Sequence, residues 1–269
     1  MTRQILLTND DGIGSWGMTV LRHALAGLGD LTVIAPDRNT SAVARGITTG
    51  RALRLTRTTF DDGLHGLACD GTPSDCVRVG LLGVEAPEPD LVVSGVNLGA
   101  NVGADVTYSG TVGAALEAAL RGKPALAFSV EALEPRWLEQ AEPVVRAIVD
   151  HAVGQGLARR TILNVNLPDR PLAGIAGVRP ARLGGASCHD RVVLDGRDGA
   201  RPDGGPATRE YPLPCEASST EDWADTDIEL LALGFVTITP MHYDLLDAAM
   251  LARLSSWSLD LDGIRAGRV

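Results

Sequence analysis

The sequence predicts an α/β fold: a mostly parallel sheet with helices on both faces, followed by a C-terminal hairpin and helix extension. Strand and helix patterns alternate over the first 170 of the 269 residues, the order that builds a parallel sheet. Leu91–Ser94 is an unbroken apolar run, as expected of a strand covered on both faces. The first strand, Ile5–Thr8, runs directly into Asn9-Asp10-Asp11-Gly12, and ligand sites of open α/β sheets form at such carboxyl ends.

The elements follow in order. Trp16 to Leu28 places Trp16, Val20, Leu21, Ala24, Leu25 and Leu28 on one helical face, with Gly29 where a C-terminal cap belongs. Leu31 to Ala35 reads as a second strand ending at Pro36-Asp37. A polar, glycine-spaced stretch from Arg38 to Arg51 follows, then an extended piece at Leu53 to Thr56. Thr72-Pro73-Ser74-Asp75 opens a helix to about Leu82: threonine caps, proline takes the first helical position and the acid completes the box. After the strand at Leu91, Thr111 to Arg121 reads as helix and Ala125 to Ser129 as strand. Trp137 to about Val153 is an amphipathic helix, and Thr161 to Asn166 a further strand. Beyond Pro168 the character changes. Asp195 to Pro214, crowded with Gly, Pro, Asp and Arg, reads as a loop or hairpin tip. Glu229 to Pro240 has strand character, and Leu245 to Trp257 reads as helix.

Composition narrows the function. Only 4% of residues are aromatic, so the core is built from Val, Leu, Ala and Ile. A formal net charge of −10 argues against a nucleic-acid polymer as partner, though not against small anions beside a bound cation. Cys69, Cys76, Cys188 and Cys215 form no CxxC pair and fit reduced thiols in a cytoplasmic protein. No apolar run approaches the ~20 residues of a membrane helix. GxxxxGK[ST] and GxSxG are missing, which counts against Walker-type and serine-hydrolase chemistry. The five histidines do not cluster.

Four segments end at one sheet edge: Asp10-Asp11, Asp37 to Ser41, Ser94 to Asn101 and Tyr108 to Thr111. Adjacent carboxylates repel unless a cation sits between them. A magnesium-like ion wants about six oxygens near ~2.1 Å. Asp10, Asp11, Ser41 and Asn97 supply two carboxylates, a hydroxyl and an amide carbonyl. Alone, Ser41 reads as a turn hydroxyl and Asn97 as a left-handed turn residue; together, on three strand ends, they favour a metal site. Ser109-Gly110-Thr111 opens a helix whose free N–H groups attract an anion, although Ser109 also suits an ordinary cap.

The motifs ILLTNDDG (5–12), APDRNTS (35–41), GTPSDCV (71–77), SGVNLGANVGADVTYSGTV (94–112) and TPMHYD (239–244) resemble those of the survival protein E (SurE) family, in the family's order. The resemblance implies a Rossmann-like core and a divalent-metal-dependent phosphomonoesterase acting on nucleoside 5′- and 3′-monophosphates, with polyphosphate shortened by some members. It implies one Mg²⁺ or Mn²⁺ per subunit on Asp10, Asp11, Ser41 and Asn97, and phosphate contacts from Ser109, Gly110 and Thr111, with Asn101 nearby. Residues 1–170 are then the metal and phosphate core. Residues 171–269 form a C-terminal part whose hairpin and terminal helix exchange between subunits of a homodimer or homotetramer. Asp10 and Asp11 are the candidate catalytic residues, with the proton-handling role open between them. Two departures stand out: Ala42-Val43-Ala44-Arg45-Gly46 replaces a glycine- and hydroxyl-rich run, and Ala100 replaces a proline. The altered loop makes Arg45 a candidate for the substrate cleft. The alternative is a nucleotide-binding regulatory module with decayed catalysis.

Overall fold

In the computed structural model, residues 2–83, 85–158, 160–185, 188–190, 215–217, 224–254, 256–257 and 265 are described. A nine-stranded mixed sheet runs through the molecule. In chain order its strands are β1 (Gln4–Thr8), β2 (Asp30–Pro36), β3 (Leu55–Thr59), β4 (His65–Cys69), β5 (Leu91–Leu98), β6 (Ala125–Val130), β7 (Thr161–Leu167), β8 (Gly177–Pro180) and β11 (Phe235–His242). β9 (Cys188–Asp190) and β10 (Cys215–Ala217) form a separate antiparallel pair. The order across the large sheet is β3-β4-β2-β1-β5-β6-β7-β11-β8. The pairs from β4 through β7 are all parallel, and only β3–β4 and β7–β11 are antiparallel. The winding direction reverses between β1 and β5, and ligand crevices open at such a point.

Each face is covered. Ile5, Leu7 and Val93 pack with Leu21 and Leu25 of α1 (Trp16–Leu25) and with Val145 and Val149 of α4 (Glu142–Gln155). Leu6, Ile34 and Val92 face the other way, onto Val77 of α2 (Pro73–Leu81) and Ala114, Ala115 and Ala118 of α3 (Gly110–Leu120). Successive strand residues therefore bury both sides of the sheet, the pattern of a parallel core. The alanines of α3 let it lie close to the strands.

The expected fold class holds. The Thr72 capping box is present in both directions with Pro73 inside it. Several local expectations need correction. Glu229 to Ala232 is helix, not strand: Thr226 accepts from the Glu229 N–H and opens α5 (Asp227–Ala232), and the strand β11 starts only at Phe235. The helix expected from Trp137 begins as a 3-10 turn, Leu138–Ala141, and α4 starts at Glu142, where Pro143 fits the first helical turn. α1 stops at Leu25, three residues early, although Leu28 still packs on the core. The C-terminal helix, α6, covers Ala248–Leu254 within the expected span. β4 and β8 are additional strands; both are short and carry glycine. The stretch 195–214 lies outside the described residues. Cys69 and Cys76 are buried free thiols.

Candidate active site

The site grows from the turn after β1. Asn9 Nδ2 donates to the Gly12 carbonyl at 2.9 Å and to Ser15 Oγ at 2.7 Å, and its Oδ1 accepts from the Gly12 N–H at 3.2 Å. Gly12 has φ of 102°, a left-handed geometry that glycine adopts without strain. This brace fixes the two carboxylates that lie between Asn9 and Gly12.

Asp10 is only 3% exposed. The Thr111 hydroxyl donates to its Oδ1. The start of α3 presses so close that a Cβ on Gly110 would lie 2.9 Å from Asp10 Oδ2. Burial raises the Asp10 pKa, while the Thr111 hydroxyl and the backbone N–H groups of Asp10, Thr111 and Gly110 oppose the rise. The Asp10 carbonyl accepts from the Thr40 N–H at 2.7 Å, joining the loop after β2 to the same turn.

Asp11 is half-buried and points across to β5. Its Oδ2 accepts from the Leu98 N–H at 3.2 Å, and its Oδ1 lies 3.5 Å from Asn39 Nδ2. Burial pushes its pKa up to about 6; the Leu98 N–H lowers it and the Asp10 charge raises it. Asn39 in turn accepts from the Ser41 N–H at 2.8 Å and from the Ser41 hydroxyl at 2.7 Å. Asn97 spends its side-chain N–H on the Gly99 carbonyl at 2.7 Å, which leaves its oxygen as the available end. Asn39 thus links Asp11 with Ser41, and Leu98 joins Asp11 to the strand residue beside Asn97.

These residues fit a hard divalent cation. Two raised carboxylates, an amide oxygen and a hydroxyl whose proton is already donated make up an all-oxygen set of candidate donors. Ionising both carboxylates side by side without a counter-charge is unfavourable.

The anion side differs from a bare helix start. Ser109 Oγ accepts from the Val112 N–H at 3.1 Å as the cap of α3. The Thr111 hydroxyl is committed to Asp10, so Thr111 and Gly110 face a carboxylate of the protein itself. Asn101 is locked into the sheet: its N–H meets Asn166 Oδ1 at 2.8 Å, its carbonyl accepts from Asn164 and Asn166, and its side-chain nitrogen donates to Ser129 Oγ at 2.8 Å. One N–H of that amide and the Ser109 hydroxyl hydrogen remain for an anion. Arg45 is exposed on a loop that leans on α3, since a Cβ on Gly113 would meet the Arg45 Cα at 3.1 Å. Sequence reasoning missed Asn9, Asn39, Asn164 and Asn166 as the braces of this site. Asn39, two residues before Ser41 in the loop after β2, carried the nearest signal.

The comparisons agree with this architecture. Residues 5–190 match the model of the family described as Survival protein SurE. A 5′-nucleotidase SurE of Carboxydothermus hydrogenoformans is 40% identical, covering 98% of this chain and 99% of its own. One from Rubrobacter xylanophilus is 41% identical, over 95% and 97%. The crystal structure of a SurE protein from Aquifex aeolicus superposes with a TM-score of 0.78 at 36% identity, over 94% of this chain and 98% of that one.

Proposed function

The chain belongs to the SurE family, and on that premise we propose that it is a hydrolase, a divalent-metal-dependent 5′-nucleotidase that also accepts 3′-monophosphates and releases nucleoside and phosphate. The observation that carries the reading is the convergence of three strand ends and the start of α3 on the adjacent carboxylates Asp10 and Asp11. Asp10, Asp11, Ser41 and Asn97 are the residues that would hold the cation, one Mg²⁺ or Mn²⁺ per chain. When bound, it neutralises charge on the phosphoryl oxygens and makes a nearby water a better nucleophile.

The protein groups divide the remaining work. Asp10, clamped by Thr111 and the helix start, is the fixed ligand. Asp11 is less buried and only weakly held at Oδ1, so it is the carboxylate able to exchange a proton with water. Ser109 and Asn101 offer their remaining donors to the substrate phosphate. Gly110 and Thr111 keep the positive end of α3 beside it. Residues 1–170 carry this chemistry, and residues 171–269 serve assembly into a homodimer or homotetramer. The same reading includes exopolyphosphatase side activity and a cytoplasmic location. Among the described residues, no helix is long and apolar enough to cross a membrane.

Phosphate release from 5′- and 3′-nucleotides and from p-nitrophenyl phosphate, with and without EDTA, tests the proposal. Turnover that EDTA abolishes and Mn²⁺ or Mg²⁺ restores is the expected result. Turnover indifferent to EDTA would sink the metal assignment. No turnover of any monoester with metal present would sink the activity.

A further inference from the structure

Asp227 lies in the C-terminal third of the chain, at the start of α5, and is completely buried. Its Oδ2 accepts from the Gly103 N–H at 2.9 Å, and its Oδ1 from the Gly184 N–H at 2.8 Å and the Ile228 N–H at 3.0 Å. Its own N–H donates to the Arg182 carbonyl at 2.9 Å. A buried carboxylate is costly, and burial indeed raises the pKa of this one against those three N–H bonds. Capping α5 does not require such a residue, because the Thr226 side chain already accepts from the Glu229 N–H. Besides Gly184 and Ile228 nearby, the Asp227 carboxylate ties down Gly103, 124 positions away.

Gly103 begins the 3-10 turn Gly103–Tyr108, which leads directly into Ser109 and the start of α3. Its φ of 56° and a space in which a Cβ would meet the Gly185 carbonyl at 2.2 Å require glycine. The Ala104 N–H donates to that same carbonyl at 3.0 Å. At the other end of the turn, the Tyr108 carbonyl accepts from the Ala44 N–H at 2.9 Å. The start of this turn is thus held from Asp227 and Gly185, and its end from Ala44.

We infer that Asp227 is a positioning residue: by holding Gly103 it sets the distance of Ser109, Gly110 and Thr111 from Asp10, and so tunes the reaction without touching substrate. The inference rests on the reading of Asp10 and the α3 start as the reacting centre. It makes the site depend on the C-terminal third of the chain, beyond the segment that supplies its ligands.

Asp227→Asn keeps size but replaces one acceptor oxygen with a donor that faces an N–H. The expected result at 25 °C is a fall in kcat/KM of about 10- to 100-fold, the scale of a small misplacement of reacting groups, with weaker inhibition by vanadate. A variant that melts at lower temperature yet keeps the parent kcat, KM and vanadate inhibition while folded would overturn the inference. Hydrogen exchange on the parent chain needs no variant. Adding Mn²⁺ and vanadate should slow exchange at Gly103 and Ile228 together with Gly110 and Thr111, since coupling between sites is reciprocal. Slowing confined to Gly110 and Thr111 overturns the inference alone. If neither pair responds, the reading of the site falls and takes the inference with it.

Discussion

The Thr111 hydroxyl donates to Asp10 Oδ1 across 101 positions of sequence. This bond joins the first residue pair of the candidate metal site to the first turn of α3. It makes the helix start a support for a carboxylate of the protein as well as a neighbour of the substrate.

Thr111→Val removes that donor at nearly constant volume. Hydrogen bonds to charged groups contribute ~1.5–3 kcal/mol, so kcat/KM should fall about ten- to a hundredfold at ~1.4 kcal/mol per factor of ten. Calorimetric Mn²⁺ titration should show weaker binding, because Asp10 is left buried with one donor fewer. Unchanged Mn²⁺ affinity and unchanged kinetics would separate Thr111 from the site.

Gly110→Ala gives a sharper split. Overpacking a filled site costs ~1–3 kcal/mol, so the melting temperature should fall by a few degrees while the chain stays folded. The new Cβ would meet Asp10 at 2.8 Å, so the carboxylate must shift. A loss of ~10²-fold in kcat is expected from a misplacement of that size. An unchanged kcat in the folded variant would mean that the contact is packing alone.

The pH dependence follows from Asp11. Its folded pKa of about 6 exceeds the ordinary aspartate value of 3.8, so between pH ~4 and ~6 this carboxyl group binds more protons in the metal-free native chain than in the unfolded one. Stability of the EDTA-treated protein should therefore fall as pH rises through that window. Cation binding needs the ionised carboxylate, so Mn²⁺ affinity should be flat above about pH 6 and weaken below it, towards tenfold per pH unit. Denaturation midpoints and calorimetric titrations across this range check both signs.

Much of this site was legible because its signals are local. The Asp10-Asp11-Gly12 turn sits at a strand end, and parallel strands bring their carboxyl ends to one edge, which is the ground on which the sequence sets Ser41 and Asn97 beside it. The braces were not legible. Asn166 meets Asn101 over 65 positions and Asp227 meets Gly103 over 124, and no periodicity records such contacts. α5 was hidden for another reason: Leu230 to Leu233 is an apolar run that suits strand or buried helix equally. Thr226 and Glu229, three apart, were the signal that decides it.

Arg45→Ala tests the altered loop. Ala42 and Ala44 hold φ of 61° and 54°, a left-handed geometry that the loop imposes on alanine. That geometry places Arg45 beside α3, where its planar fork can meet a phosphate or ribose edge. The ranking of nucleotide substrates should change, mainly through KM. An equal loss of kcat on every substrate would make Arg45 a structural or catalytic residue instead.

Anomalous diffraction from crystals soaked in Mn²⁺ and vanadate tests the central claim most directly. The expected result is one manganese peak bound by the Asp10 and Asp11 carboxylates at ~2.1 Å, a distance typical of small hard cations. Ser41 and Asn97 should complete the protein ligands, and the vanadate should lie between the metal and Ser109. Density with no manganese at these carboxylates, or an anion bound away from the start of α3, would contradict it.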